Sequence, residues 1–344
     1  MSAPRLLRSM LACTILLIEA AFAADGQPKP SPNPALDVYA KPGKLVAIGS
    51  GRRLNLRCSG SGSPTVILEA GATADSLTWS DVQPRLAKFA HVCSYDRAGL
   101  GFSDEGPMPR DLDAEADDLH ALIVAAQIKT PFILVGHSRG SNIARRYADK
   151  HAADLAALVL LDPPAQHVAE FAPAWAKADD EGRAAAMAFM QQCAKAAESG
   201  QLAQPSTELA RCLRGPDPRF SAVLNAAQRE NKLRPAFWHT VLSTYETNSL
   251  FDKPVPAEER HDTLPILILA ADSTYADVPP GERKGLEAAR AKTNKAIAAT
   301  STRSEIIPVA HSSHEVPLDR PDAVVDALHK AIQLAVAEGS MPAQ

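Results

Sequence analysis

The sequence lacks a charge imbalance. Its 36 lysines and arginines face 40 aspartates and glutamates, a formal net charge of −4. The basic residues are scattered, and the pair Arg145-Arg146 reads as a solvated helix face. Nothing here points to nucleic acid or to an anionic membrane surface as a partner. No internal repeat is visible. No C-x-x-C pair is present, so no structural zinc site or other metal is expected, and no cofactor is called for. Past the N-terminus no apolar run is long enough to cross a bilayer, so no stable membrane span is expected. What remains is 344 residues, 46% hydrophobic and 22% charged. That is an ordinary globular composition with room for a large core, in one big domain or a domain plus a subdomain.

The first 23 residues read as an export signal. Arg5 and Arg8 give a positive start, Met10 to Ile18 is a short apolar stretch, and Ala21-Phe22-Ala23 is an A-x-A cleavage site. Residues 24–40 follow as a flexible lead-in, rich in proline and polar residues from Asp25 to Pro34. The mature protein is expected in the periplasm or the medium. Of the five cysteines, Cys13 leaves with the signal, and Cys58, Cys93, Cys193 and Cys212 remain. An even number in an oxidising compartment suggests two disulfides, with three pairings open.

The body of the chain alternates strand and helix signals. Lys44–Ile48 and Arg53–Cys58 look like a hairpin. Thr65–Glu69, His91–Asp96, Thr130–Val135 and Leu155–Leu161 read as strands. Ser80–Phe89 and Asp111–Ile128 read as helices between them. This predicts an α/β fold with a mostly parallel sheet. The pattern breaks over residues 165–260, which are alanine-rich, helical in propensity and without strand signals. This insertion reads as a cap. Cys193 and Cys212 lie close enough in sequence to pin one helical hairpin within it. Alternation resumes with Leu264–Ala270, Glu282–Ala298, Ser304–Val309 and Pro321–Ala337. The expected division is a core at 41–164, a cap at 165–260 and the rest of the core at 261–344.

The chain is organised around Gly136-His137-Ser138-Arg139-Gly140. A buried strand precedes this G-x-S-x-G and a helix start follows it, the context that a nucleophile elbow needs. Alone, such a pentapeptide turns up by chance in about one chain of this length in ten, at a glycine frequency of roughly 7%. The bland alternative is a serine that caps the next helix. Glycine at 136 and 140 removes side chains that would crowd so sharp a turn.

Four motifs in order extend that reading. They are Leu68-Glu69-Ala70-Gly71, the run Tyr95-Asp96-Arg97-Ala98-Gly99-Leu100-Gly101-Phe102-Ser103-Asp104, the elbow, and His314 with Asp319 and Pro321. Together they make the chain resemble the α/β-hydrolase superfamily from about Lys44 to Leu334. The resemblance implies an α/β-hydrolase fold: a mostly parallel eight-stranded sheet, helices on both faces, and a helical cap after strand 6. It sets the second strand against the fourth, which favours a Cys58–Cys93 bridge and leaves Cys193–Cys212 as the other.

The resemblance also implies roles. Ser138 would be the nucleophile, and a serine hydroxyl needs a base. His314 stands at the motif's spacing for that base, with His311 as a rival three residues earlier. The N–H groups of Ala72 and Arg139 would hold the oxyanion. His137 would serve elbow packing, and Asp96 would hold Arg97 or loop N–H groups. Glu69 stands where many relatives carry a histidine. The acid is open between Asp162, at the end of the sixth strand, and Asp272, after the seventh, with Asp277 as a third candidate. Aligned without gaps, the family's usual acid position falls on Thr274.

The expected activity is that of an exported serine hydrolase acting on a small molecule, most economically an ester with an apolar part, through an acyl-enzyme on Ser138. The alternatives are a catalytically silent binding protein on the same fold, or a peptidase, C–C hydrolase or cofactor-free haloperoxidase using the same triad. Serine rather than aspartate at 138 argues against dehalogenase or epoxide hydrolase chemistry. The signal reading makes a direct prediction: intact mass and N-terminal sequencing of the exported protein will place its first residue at Ala24.

Overall fold

The apolar β-branched runs form the centre of one sheet. The computed structural model describes residues 31–247, 255–256 and 258–337. Its strands are β1 (Lys44–Ala47), β2 (Arg53–Ser59), β3 (Val66–Glu69), β4 (Val92–Tyr95), β5 (Phe132–His137), β6 (Leu155–Leu161), β7 (Ile266–Ala271) and β8 (Ser304–Val309). They lie in the order β1-β2-β4-β3-β5-β6-β7-β8. The β1–β2 and β2–β4 pairs are antiparallel, and all later pairs are parallel. Every residue of β5 and β6 is buried, as expected of parallel strands covered on both faces.

Helices supply that cover. They are α1 (Gln83–Leu86), α2 (Leu112–Ala126), α3 (Arg139–His151), then α4 to α8 between β6 and β7, then α9 (Pro280–Ala298), α10 (Val316–Asp319) and α11 (Pro321–Ala337). On one face, Val135, Val159 and Leu269 pack with Leu86 of α1 and Leu328 of α11. On the other, Phe132, Leu160 and Ile268 pack with Leu119 of α2 and Tyr147 of α3. Asp111 caps α2 by accepting from the Ala114 N–H at 2.8 Å. The helix expected over Ser80–Phe89 is shorter than its propensity suggests. Pro84 lies in its first turn, where the missing N–H does no harm, and a 3₁₀ turn at Ser76–Trp79 takes up the preceding residues.

The insertion comprises α4 (Val168–Phe171), α5 (Pro173–Glu198), α6 (Ala210–Leu213), α7 (Ala222–Leu233) and α8 (Pro235–Thr247). It has a core of its own, built around Met190, Leu202, Leu213, Trp238 and Val241. The Cys193–Cys212 disulfide ties α5 to α6 within it. It sits on the loop after β4. The Arg234 guanidinium donates to the Gly101 carbonyl and, at 2.7 Å, to that of Ser103. Gly99, at φ +81, packs so close that a β-carbon there would lie 1.9 Å from Thr240 Oγ1. The Cys58–Cys93 disulfide joins the paired strands β2 and β4.

One expectation needs correcting. Pro34–Ala40, inside the stretch read as a flexible lead-in, is a 3₁₀ helix. Asn33 N–H donates to Arg219 O at 3.1 Å, and Ser221 Oγ donates to Asp37 at 2.6 Å. Arg57 donates to Val38 O at 3.0 Å and lies over the Tyr39 ring. Prolines favour an extended chain, but the contacts that order this segment come from Arg57 and from α7, residues far away in sequence. The stretch read as an export signal, residues 1–23, lies outside the described residues. Among the described residues no helix is long and apolar enough to cross a membrane.

Candidate active site

The turn between β5 and α3 forces Ser138 into an unusual backbone conformation, φ 52° and ψ −124°. Positive φ is costly for a residue with a β-carbon, and such strain gathers at functional sites. The two glycines make the turn possible. A β-carbon at Gly136 would lie 2.4 Å from Gly140 O, and one at Gly140 would lie 2.6 Å from both Glu69 O and Ala70 O. The start of α3 is thus pressed against β5 and the end of β3. Ser138 does not cap the helix with its side chain. Its N–H donates to Leu161 O at 2.9 Å, and its Oγ lies 2.8 Å from His314 Nε2.

His314 lies on the loop between β8 and α10. Its Nδ1 is 2.7 Å from Asp162 Oδ2. Nδ1–H therefore donates to the carboxylate, which leaves Nε2 to accept from the serine hydroxyl. Asp162 follows β6 directly and is 1% exposed, again at a positive φ of 42°. Its N–H donates to Leu269 O at 2.8 Å. Both carboxylate oxygens are fully engaged. Oδ2 also accepts from Thr274 Oγ1 at 2.7 Å. Oδ1 accepts from Arg290 Nη1 at 2.8 Å and from Ala271 N–H at 3.2 Å.

The other sequence candidates go elsewhere. Asp272 accepts from His311 N–H at 3.0 Å, Ser312 N–H at 3.2 Å and Ser273 Oγ at 2.8 Å. Its own N–H donates to Val309 O, extending the β7–β8 pairing by one residue. That register sends the Asp272 carboxylate to the turn at the end of β8, so the structure brings Asp162 and not Asp272 to His314. The Asp272 alternative is thereby corrected. His311 is exposed on that same turn, and His314 is the histidine that reaches Ser138.

Electrostatics follow from these contacts. Burial pushes the Asp162 carboxyl up, but the His314 hydrogen bond and charge, with Arg290 and Thr274, outweigh it and hold the group below the usual range. Burial pulls the His314 imidazole down, while the Asp162 hydrogen bond and charge, with Glu315, raise it above its ordinary value. Burial dominates at His137 and lowers its pKa, which favours the neutral ring. Its Nε2–H donates to His314 O at 2.8 Å, so the residue before the nucleophile also holds the backbone of the histidine opposite.

On the other side of Ser138 lies the loop after β3. Glu69 is fully buried and accepts from Tyr95 Oη and from Arg97 Nη1. The same guanidinium donates to three successive carbonyls, Ala70 at 2.7 Å, Gly71, and Ala72 at 2.7 Å. Glu115 of α2 bridges Arg97 to Arg139, whose side chain is also fully buried. Charges alternate as Glu69, Arg97, Glu115, Arg139, so each buried ion has an opposite neighbour. Asp96 stands behind the loop. It accepts from Asn55 Nδ2 at 2.7 Å, Ser76 N–H at 2.9 Å and Phe102 N–H at 2.9 Å. Loop N–H groups are thus its partners, as one of the two sequence alternatives had it.

Sequence reasoning missed Glu115 and Arg290. Thr274 had a signal, since it occupies the aligned acid position. Arg290 had none, because 128 residues separate it from Asp162. Three groupings of metal-ligating side chains occur among the described residues: Cys58 with His91 and Cys93, His120 with His151 and Asp154, and Asp149 with Glu259 and His261. None contains Ser138, His314 or Asp162, and the first holds the disulfide cysteines.

A hydroxyl, an imidazole with its free nitrogen toward that hydroxyl, and a compensated carboxylate form a relay suited to acyl transfer. Residues 66–327 match the Alpha/beta hydrolase family. N-formylmaleamate deformylase of Pseudomonas putida KT2440 is 36% identical over 130 residues, 38% of this chain and 47% of that protein. The chain spans less than half the length of the first curated relatives it matches. Two solved structures are similar in fold: a proposed lipase from Acinetobacter baumannii AYE and a thermophilic esterase from Thermogutta terrifontis. The lipase superposes with TM-score 0.60 at 17% identity, covering 89% of this chain and 95% of the other. The esterase gives TM-score 0.53 at 20% identity, covering 86% and 99%.

The elbow geometry predicts a stability cost. Gly140→Ala should lower unfolding free energy by about 1–3 kcal/mol, the usual range for overpacking, because the new methyl meets backbone on β3. Thermal and urea unfolding of the variant beside wild type will measure it.

Proposed function

Since the chain belongs to the Alpha/beta hydrolase family, we propose that it is an exported serine hydrolase that cleaves carboxylic esters through an acyl-enzyme on Ser138. The observation that carries this reading is the continuous contact from Ser138 Oγ to His314 Nε2 at 2.8 Å and from His314 Nδ1 to Asp162 Oδ2 at 2.7 Å. In the proposed mechanism His314 Nε2 takes the hydroxyl proton as Oγ attacks the ester carbonyl carbon. The carbonyl oxygen becomes an oxyanion, held by the N–H groups of Ala72 and Arg139. His314 then returns the proton to the departing alcohol. Water, activated by the same nitrogen, releases the acid. Asp162 keeps the proton on Nδ1 and stabilises the imidazolium.

Other features support parts of the reading. The carbonyls of Ala70, Gly71 and Ala72 are tied to Arg97, so the loop that carries one oxyanion donor is held before substrate arrives. Export is supported by the signal-like N-terminus and by two disulfides. The division into a core at 41–164 and 261–344 and a cap at 165–260 belongs to the same proposal. An apolar substrate part is suggested by the aromatic and aliphatic content of that cap. Esterase and deformylase names among the similar proteins make acyl transfer to water the first chemistry to assay.

The test is labelling of the mature protein with a fluorophosphonate, beside Ser138→Ala, followed by p-nitrophenyl esters of increasing chain length. Labelling lost in the variant is expected; a folded wild type that takes no label would favour a silent binding protein. Asp162→Asn should lower kcat by roughly 10³–10⁴-fold, because the wrong tautomer is then favoured, whereas Asp272→Asn should keep a near wild-type rate. The pH profile has a defined sign. The base must be neutral to act, and its pKa is raised, so kcat/KM should fall on acidification with a midpoint above the ordinary imidazole value of about 6.5.

A further inference from the structure

We propose that Arg290 is a positioning residue that sets the lower pH limit at which His314 can serve as a base. The proposal rests on the reading of Ser138, His314 and Asp162 as a triad. Its geometry is local and specific. Arg290 Nη1 has two hydrogens and three acceptors within reach: Asp162 Oδ1 at 2.8 Å, Thr274 Oγ1 at 2.8 Å and the Ala271 carbonyl. The guanidinium also lies over the Tyr275 ring, 5.7 Å from its centroid. Because the Thr274 oxygen accepts from Arg290, its one proton goes to Asp162 Oδ2, 2.7 Å away. The two carboxylate oxygens are thereby distinguished. Oδ1 is held by the cation and by Ala271 N–H, and Oδ2 is presented to His314.

The charge argument is the stronger half. Asp162 is almost wholly buried, and a buried carboxylate needs a compensating charge. Without Arg290 the nearest source would be a proton on His314, which would become a stronger base and stay protonated to higher pH. With Arg290 in place the carboxylate is already neutralised, so protonating His314 leaves a net positive charge beside it. The other groups facing His314 are Glu315 on its own loop, which raises its pKa, and His137 at the end of β5, whose neutral ring donates to the His314 carbonyl. Arg290, on α9, is bonded to the carboxylate that His314 contacts, and its charge opposes the rise caused by Asp162 and Glu315. The structure thus pairs a strong orienting carboxylate with a cation that limits how far the pKa of the base is raised.

The experiment compares wild type with Arg290→Met, Arg290→Gln and Arg290→Lys. Two readouts are followed against pH: the low-field proton resonance of His314 Nδ1–H, and kcat/KM on a p-nitrophenyl ester. Met and Gln should each move the His314 midpoint and the acidic limb upward together, by on the order of half a pH unit or more, while Lys, keeping the charge, should restore most of the wild-type value. Two neutral variants guard against one that fails to fold, and thermal unfolding checks each. The proposal is overturned if a folded neutral variant leaves the midpoint unchanged, or if Lys shifts it as far as Met does, which would make the effect one of packing. The resonance separates this proposal from the reading beneath it. A titration that moves as expected in a protein with no ester turnover and no probe labelling would support the role of Arg290 and remove the reading as a serine ester hydrolase.

Discussion

The constraint on which this structure turns is a carboxylate buried at the end of β6. An unpaired charge at that depth would cost several kcal/mol, so the surrounding chain must answer it. The answer comes from three places that are remote in sequence. His314 arrives from the loop after β8, Arg290 from α9, and Thr274 with the Ala271 N–H from the end of β7. Parallel pairing of β6, β7 and β8 brings their C-terminal ends to one edge of the sheet. The β5–β6 pairing then puts Ser138 beside them, with its N–H on Leu161 O. The site is therefore a consequence of strand order, with the carboxylate as the element that the others compensate.

A second buried charge system lies on the opposite side of Ser138 and follows the same logic. Glu69, Arg97, Glu115 and Arg139 alternate in sign and link the end of β3, the loop after β4, α2 and α3. Replacing such a chain by apolar residues often costs nothing in stability. Its value is geometric: a planar guanidinium with several N–H groups fixes three consecutive loop carbonyls at once. Glu69 anchors that guanidinium.

Much of this was legible in the sequence for simple reasons. Strand runs such as Phe132–Val135 and Leu158–Leu161 are continuous and apolar because both faces of a parallel strand are covered. The elbow glycines are required by backbone approach within one turn, and such local demands leave local signatures. His314 could be named because its spacing from Asp319 and Pro321 is also local. Helix ends were less legible: α1 spans only Gln83–Leu86, and the lead-in is ordered over Pro34–Ala40 by contacts with Arg57 and α7.

What the sequence by itself determined is the α/β alternation, the strained serine turn and the identity of the histidine, since each depends on residues within a few positions of one another. Only the tertiary structure decided which carboxylate meets that histidine, and that Thr274 and Arg290 support it. The physical reason is register. Asp162 and Asp272 both follow apolar strands and look alike in one dimension. Their side chains part only when β7 pairs with β8 and draws Asp272 onto the turn at His311 and Ser312, leaving the space beside His314 to Asp162.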